Sequence, residues 1–205
     1  MPTLLHTPFA CSMAVRFAAA EGEVPLAIQQ VDLRTKNIVS GGTLYDTNAL
    51  GQVSTLILED GEILTENTAI LMWVQSQSTK ESFRRLPTDP HYFQLIRWIA
   101  FVSTELHKQL LRVVFYPEAT DEVKDRIRGL APARFALLDQ QLSDSPFLLG
   151  ENFSAADAYL SWFLVLASRA RLDVSPYTKL AEYQTRTHAR PAIKALIQED
   201  SESKN

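Results

Sequence analysis

The sequence predicts an α+β N-terminal half built on a small mixed sheet, followed by a wholly helical C-terminal half. Three observations predict it. Ahead of residue 78, short apolar runs and helical patterns follow the order β-α-β, a long connection, then β-β-α. A polar, charged stretch, Ser76 to Asp89, then breaks the periodicity with Pro87 and Pro90. Beyond it the apolar repeats keep three-and-four spacing.

Leu4 and Leu5 centre the first strand, and Thr7-Pro8 makes a tight turn. A helix follows from Cys11-Ser12-Met13-Ala14-Val15-Arg16 into Phe17 to Ala20, with the chain's only cysteine at or near its start. A thiol there faces the positive end of a helix dipole and unpaired backbone N–H groups, which favour thiolate. A lone cysteine beside Ala and Val is also commonly a small buried hydrophobe, and spacing by itself favours that plainer reading. Glu21-Gly22-Glu23 stops the helix, and Val24 to Val31 reads as a second strand. Asp32 to Gly42 is a glycine-bearing loop carrying Arg34 and Lys36.

Gly51-Gln52-Val53-Ser54 precedes the third strand, either as an extended segment that pairs with a peptide-like ligand or as a simple lead-in. Leu56-Ile57-Leu58 and Glu62-Ile63-Leu64 flank Glu59-Asp60-Gly61, a hairpin pattern. Thr65 or Glu66 opens a helix through Ala69, Ile70, Met72, Trp73 and Val74. Two crossover units on a small mixed sheet make a thioredoxin-like layer. Glu66-Asn67 at the helix opening reads as plain capping or as donors able to hold a carboxylate.

In the second half, Tyr92, Leu95, Ile96, Ile99, Val102, Leu106 and Leu110 form one helical stripe, with Ser103 and His107 at its border. Trp98 and Phe101 lie off that stripe, facing either a partner subunit or the other domain. From Asp121-Glu122 the repeat runs through Ile127, Phe135 and Leu142. Pro132 kinks one long helix there, or the segment is two shorter helices divided at Gly129. Ser154-Ala155-Ala156-Asp157 is a capping-box variant ahead of the apolar run Tyr159 to Ala167. Amphipathic stretches follow at Pro176 to Thr187 and Pro191 to Ile197, and Glu199 to Asn205 reads as a frayed polar tail.

The 205 residues, 46% hydrophobic and 21% charged, suffice for one large domain or two small ones with a real core. A formal charge of −4 with no Lys/Arg run argues against nucleic-acid binding. The longest apolar run is about half of what a bilayer span requires, and the N-terminus lacks a secretory pattern. One cysteine makes no internal disulfide, so a reducing cytoplasm is expected.

Taken in order, Ala10-Cys11-Ser12, Val31-Asp32-Leu33-Arg34-Thr35-Lys36, Gly51-Gln52-Val53, Leu64-Thr65-Glu66-Asn67-x-Ala69-Ile70, Glu105-x-His107-Lys108 and Ser154-Ala155-Ala156-Asp157-Ala158-Tyr159-Leu160 resemble the cytosolic glutathione S-transferases. The likeness spans nearly the whole chain and is greatest to the bacterial beta class. It implies a thioredoxin-like glutathione-binding domain over residues 1–78, a linker over 79–89, an all-helical domain over 90–198 and a polar tail over 199–205. It also implies a cytoplasmic detoxification enzyme acting as a two-fold homodimer, with no metal and no tightly bound cofactor, glutathione being the co-substrate.

Residue by residue, the resemblance sets Cys11 and His107 beside the glutathione sulfur and pairs the Val53 backbone with the cysteinyl unit. Glu66 and Asn67 hold the γ-glutamyl end, Lys36 the glycyl carboxylate, and Gln52 completes the glutathione site. Helix N–H groups, Glu66 and Lys36 complement a molecule with two carboxylates and an ammonium. Phe9, Leu110, Phe115, Tyr116 and Leu166 are the candidate walls for a second, hydrophobic substrate, and for Leu110 and Leu166 ordinary core is the alternative.

Three positions depart from the family pattern. Its proline after Val53 is Ser54, so the preceding peptide is either trans or held cis by its surroundings, and a trans bond would redirect the Val53 carbonyl and N–H. Phe9 replaces a small residue, and Asn67 stands where Ser or Gly is commoner. Three activities are therefore in view. The first is conjugation of the glutathione thiolate to a small hydrophobic electrophile. The second is a glutathione-dependent monothiol disulfide reductase acting through Cys11. The third is a non-catalytic binding or dimerisation scaffold, a reading that Ser54 favours and the retained Cys11, Lys36, Glu66 and His107 oppose.

Overall fold

The computed structural model describes residues 1–203. Four strands, β1 (Thr3–His6), β2 (Ala27–Gln30), β3 (Thr55–Ile57) and β4 (Ile63–Thr65), form one sheet in the order β2-β1-β3-β4. β1 and β2 are parallel, with Leu4 opposite Ile28, and helix α1 (Ser12–Glu21) makes the crossover between them. β3 and β4 are an antiparallel hairpin beside β1. The expected pair of crossovers is thus one crossover and one hairpin, because residues 58–62 are too few to bring β4 round parallel. Alternation along β1 sends Leu4 into the main core and Leu5 into a satellite core with Val31 and Leu44, both fully buried.

Helix α2 (Asn67–Gln77) packs with α1 on the sheet. The connection from Ser78 to His91 is tied down, since Ser78 Oγ donates to Gly22 O at 2.6 Å and Phe83 is buried. Gln75, also buried, donates to Phe83 O and accepts from Ala155 N, so α2, the connection and the helical half share one side chain.

The second half begins with one continuous helical rod: α3 (Tyr92–Phe101), a π-helical segment Val102–Leu111, and a final turn α4 (Arg112–Val114). Leu95, Ile99, Val102, Leu106 and Leu110 are fully buried along it. Trp98 is buried too, set edge-on to Phe101 with ring centroids 5.6 Å apart and its face covered by Arg97 at 4.4 Å. Of the two expected alternatives for Trp98, the partner-facing one gives way, because its own chain buries it.

Of the two expected outcomes, the division at Gly129 is the one present: α5 (Asp121–Arg128) and α6 (Ala131–Gln141) are separate helices, with Pro132 in the first turn of α6 where no intrahelical N–H is needed. The core of this half is α7 (Ala155–Ala167), buried along almost its whole length between α1 and the rod. The Ser154–Asp157 capping box is present, and Asp157 additionally accepts from Leu148 N and the Tyr183 hydroxyl. Helices α8 (Thr178–His188) and α9 (Pro191–Glu202) close the fold.

The polar tail needs correction. α9 continues through Glu202, and Asp200 is 1% exposed. Its carboxylate accepts from Arg16 Nη1 at 2.8 Å and Phe9 N at 2.8 Å, and lies 3.1 Å from His6 Nε2. A polar segment is ordered here because α1 presents a buried guanidinium that needs a carboxylate. Residues 204–205 of the expected tail lie outside the described residues. Among the described residues no helix is long and apolar enough to cross a membrane.

Candidate active site

The site grows from the turn between β1 and α1. Thr7 Oγ1 donates to Val31 O at 2.6 Å, and Phe9 sits in the left-handed region at φ 64°. Such a conformation is costly for a bulky residue and persists only where surroundings over-determine it. Here both peptide groups of Phe9 are held by the helical half: its N–H donates to Asp200 Oδ2, and its carbonyl accepts from Trp162 Nε1 at 3.0 Å. Arg169 covers its ring at 4.2 Å. Two residues on, Cys11 is the N-cap of α1.

The Cys11 thiol donates to Val53 O at 3.2 Å. Burial pushes its pKa above the ordinary value, while the Ser54 hydroxyl and the Lys108 ammonium pull the other way without offsetting it. The expected thiolate is thus a neutral thiol: a carbonyl acceptor and desolvation both favour S–H, and they outweigh the helix terminus.

The Val53–Ser54 peptide is cis. Ser54 Oγ lies 4.0 Å from Cys11 Sγ and donates to Asn67 Oδ1 at 2.5 Å. The approach to Val53 is fixed by Asn48, whose Nδ2 donates to Gln52 O at 2.9 Å and Thr55 Oγ1 at 3.1 Å. Gly51 has φ 56°, and a Cβ there would meet the Tyr45 ring at 2.6 Å, so both conformation and space call for glycine. Lys36 reaches this segment from the preceding loop, Nζ donating to Gly51 O at 2.9 Å.

Across the hairpin, Glu66 caps α2 at φ 65°, its side chain exposed. Asn67 is 7% exposed, and its Nδ2 has no hydrogen-bond partner. An orphaned buried amide next to a cavity is a donor waiting for an acceptor.

From the helical half, the π-helical segment brings Ser103, His107 and Lys108 to the same place, because i to i+5 bonding puts residues four and five apart on one face. His107 Nδ1 is 2.7 Å from the Tyr159 hydroxyl, and its ring meets Trp162 edge-on at 4.7 Å between centroids. Burial, then the neighbouring Lys108 and Arg112 charges, lower the His107 pKa to about 3. Burial also pushes the Tyr159 phenol up, so the phenol keeps its proton and donates to Nδ1. The proton of a neutral His107 then sits on Nε2.

Two adjoining cavities meet at Cys11. The smaller is bounded by Cys11, Val53, Ser54, Glu66, Asn67 and His107 among others. The larger, about 510 Å³, opens beside it along Phe9, Lys36, Leu111, Phe115 and Leu166. Gln52, Val53, His107 and Lys108 border both.

Of the expected wall residues, Leu110 and Tyr116 line neither cavity. Leu110 is fully buried in the core, and the next residue on the helix, Leu111, takes the wall. Tyr116 lies past the end of α4 and turns outward to donate to Glu118 Oε2 at 2.5 Å. Sequence reasoning passed over Tyr159 and Trp162, hidden in the apolar run of α7, and over Asn48, which no motif marks. Arg112 falls one turn beyond the quoted His107-Lys108 motif, and that spacing was the available signal.

Residues 121–198 match the family model described as glutathione S-transferase, C-terminal domain. The whole chain superposes on a glutathione transferase from Methylococcus capsulatus with a TM-score of 0.92 and 31% identity, covering 98% of this chain and 99% of that one. A sphingomonad glutathione S-transferase solved in complex with glutathione gives a TM-score of 0.91 and 29% identity over 97% of this chain and 98% of its own. The beta-class enzyme of Sphingomonas chungbukensis gives 0.89 and 30% over 97% and 98%. With a thioredoxin-like sheet layer, an all-helical second half and these relatives over essentially its full length, the chain belongs to the glutathione S-transferase family.

Proposed function

We propose that this chain is a glutathione transferase that joins the glutathione thiolate to a small hydrophobic electrophile. The observation that carries the reading is the Asn67 side-chain amide, buried and unpartnered on the wall of the cavity that also holds Cys11. It suits the γ-glutamyl carboxylate of glutathione, with Glu66 available to the ammonium beside it. The Val53 backbone pairs with the cysteinyl unit next to Gln52, and Lys36 takes the glycyl carboxylate. On this reading residues 1–78 bind glutathione and residues 90–198 supply the second-substrate pocket.

The glutathione sulfur comes to rest near Cys11 and His107. His107 donates from Nε2–H and, being neutral, neither repels nor competes for the thiol proton. The Lys108 ammonium favours the thiolate. The sulfur forms a bond to the electrophilic carbon, the leaving group departs with its electron pair, and the thiol proton passes to solvent. Phe9, Phe115 and Leu166 support an apolar second site.

Cys11, at the meeting of the two cavities, favours one second reading. Its thiolate attacks a glutathionylated disulfide, one reduced thiol leaves, and glutathione resolves the Cys11 mixed disulfide. Burial of the Cys11 thiol weighs against this route. A two-fold dimer in a reducing cytoplasm belongs to the same proposal; the exposed Phe93 on α3 supplies apolar surface for a partner.

The test is retention on immobilised glutathione followed by conjugation of chlorodinitrobenzene. Retention with turnover, surviving Cys11→Ala, supports conjugation. Retention with only disulfide reduction, abolished by Cys11→Ala, transfers the assignment to the second reading. Absence of retention removes both and leaves a scaffold.

A further inference from the structure

The charged groups around the larger cavity share one sign. Its apolar wall is made by Phe9, Leu111, Phe115 and Leu166, and its charged lining consists of Lys36, Lys108 and Arg112, with no carboxylate among the described lining residues. This runs against a chain whose net charge is −4. Lys108 and Arg112 are solvent-exposed at the cavity rim, and neither has a carboxylate within ion-pair distance among the described residues.

The three cations divide by position. Lys36 is engaged with Gly51 O on the sheet side, where the glycyl carboxylate of glutathione belongs. Lys108 borders both cavities and is shared with the sulfur. Arg112 borders only the larger one, four residues further along the rod, with its guanidinium stacked 5.3 Å over the Tyr116 ring. Stacking fixes the plane of a guanidinium while leaving its N–H fork free for a carboxylate.

We infer that the second substrate is an apolar electrophile bearing a carboxylate, held by Arg112 with help from Lys108 while its reactive carbon faces the glutathione sulfur. An apolar pocket sets the general class of ligand, and a few placed polar groups set its orientation. Here those groups are cations, and the low-dielectric walls strengthen their field at the mouth. Arg112 touches only the carboxylate. The chemical step is the substitution described above, carbon–sulfur bond formation with loss of the leaving group, and needs no further reactant. This inference rests on the conjugation reading.

The test compares chlorodinitrobenzene with chlorodinitrobenzoate, its carboxylated counterpart, at saturating glutathione. Each catalysed kcat/KM is divided by the rate with glutathione alone, so intrinsic reactivity cancels. The carboxylated substrate should be favoured by about fivefold or more, the size expected of one or two partly exposed ion pairs. That preference should shrink with added salt, fall toward unity in Arg112→Gln and return in part in Arg112→Lys. A preference of one or less, or one untouched by Arg112→Gln, overturns the inference and leaves conjugation standing. If neither chloride is consumed, the conjugation reading fails. Calorimetric affinities of the two S-aryl glutathione thioethers then decide this point separately. Tighter binding of the carboxylated thioether, lost in Arg112→Gln, upholds the anion site, and equal binding removes it.

Discussion

The Tyr159 hydroxyl and His107 Nδ1 are 2.7 Å apart, joining α7 to the π-helical segment of the rod. A protonated phenol on Nδ1 leaves the imidazole proton on Nε2, so the buried tyrosine selects the tautomer that donates into the site. Replacing Tyr159 by Phe removes that selection and frees Nδ1 to hold the proton. Conjugation should fall by about tenfold in kcat with less effect on the KM for glutathione. The nitrogen chemical shifts of His107 should move from the Nε2–H pattern toward a mixture of tautomers.

His107 also gives a pH signature of stability. Its folded pKa of about 3 lies below the ordinary 6.5, so below pH 6.5 the unfolded chain binds a proton that the folded chain refuses. The neutral histidine therefore leaves stability intact above that pH, and stability falls as pH drops from 6.5 toward 3. The full contribution is at most about 1.4 kcal/mol per pH unit in that window. Denaturant unfolding of the chain and of His107→Gln at several pH values should show the variant losing stability less steeply.

Asp200 binds α9 to the turn that positions Cys11. Burial alone would raise its pKa, but His6, the Phe9 N–H and Arg16 hold it below the ordinary value. Asp200→Ala leaves the Arg16 charge buried with only the half-exposed Glu199 for a partner, and should cost about 3 kcal/mol in urea unfolding. Ending the chain at Gln198 should cost at least as much. The Asp200 contribution is present at neutral pH and is lost as pH falls through its depressed pKa.

The state of Cys11 is open to a direct reading. A thiol that donates to Val53 O and is raised by burial should alkylate slowly at pH 7 without glutathione, with a rate that climbs only above the ordinary thiol range. Iodoacetamide labelling followed by mass spectrometry across pH measures this. A rate already at its plateau at pH 7 would restore the helix-terminus thiolate.

What was legible in the sequence was what local rules govern. The hairpin around Asp60-Gly61, the stop at Gly22 and the Ser154–Asp157 capping box depend on near neighbours, and all three are in place. The division at Gly129 and Pro132 was left between two outcomes, since a proline kinks a helix interior and suits a helix start equally well. Asp200 was misplaced because its partners Arg16, His6 and Phe9 are distant in sequence, whereas Trp98 and Leu110 were each left between two alternatives. Periodicity does not reveal that Arg97 roofs Trp98, that the π-helical register gives the wall to Leu111, or that Arg16 draws the polar end of α9 inward. In the site, the residues carried by the family likeness line the two cavities apart from Leu110 and Tyr116. The unrecognised Tyr159 and Trp162 look like core in a linear reading because their polar atoms act from within an apolar helix.

Conjugation by this chain requires glutathione to seat against Asn67 and Glu66 beside Cys11. Calorimetric titration of the pure chain with reduced glutathione at neutral pH tests that most directly. Saturable binding at one site per chain, weakened about tenfold by Asn67→Ala, is the predicted result. No heat at millimolar glutathione, or binding that Asn67→Ala leaves unchanged, would contradict it.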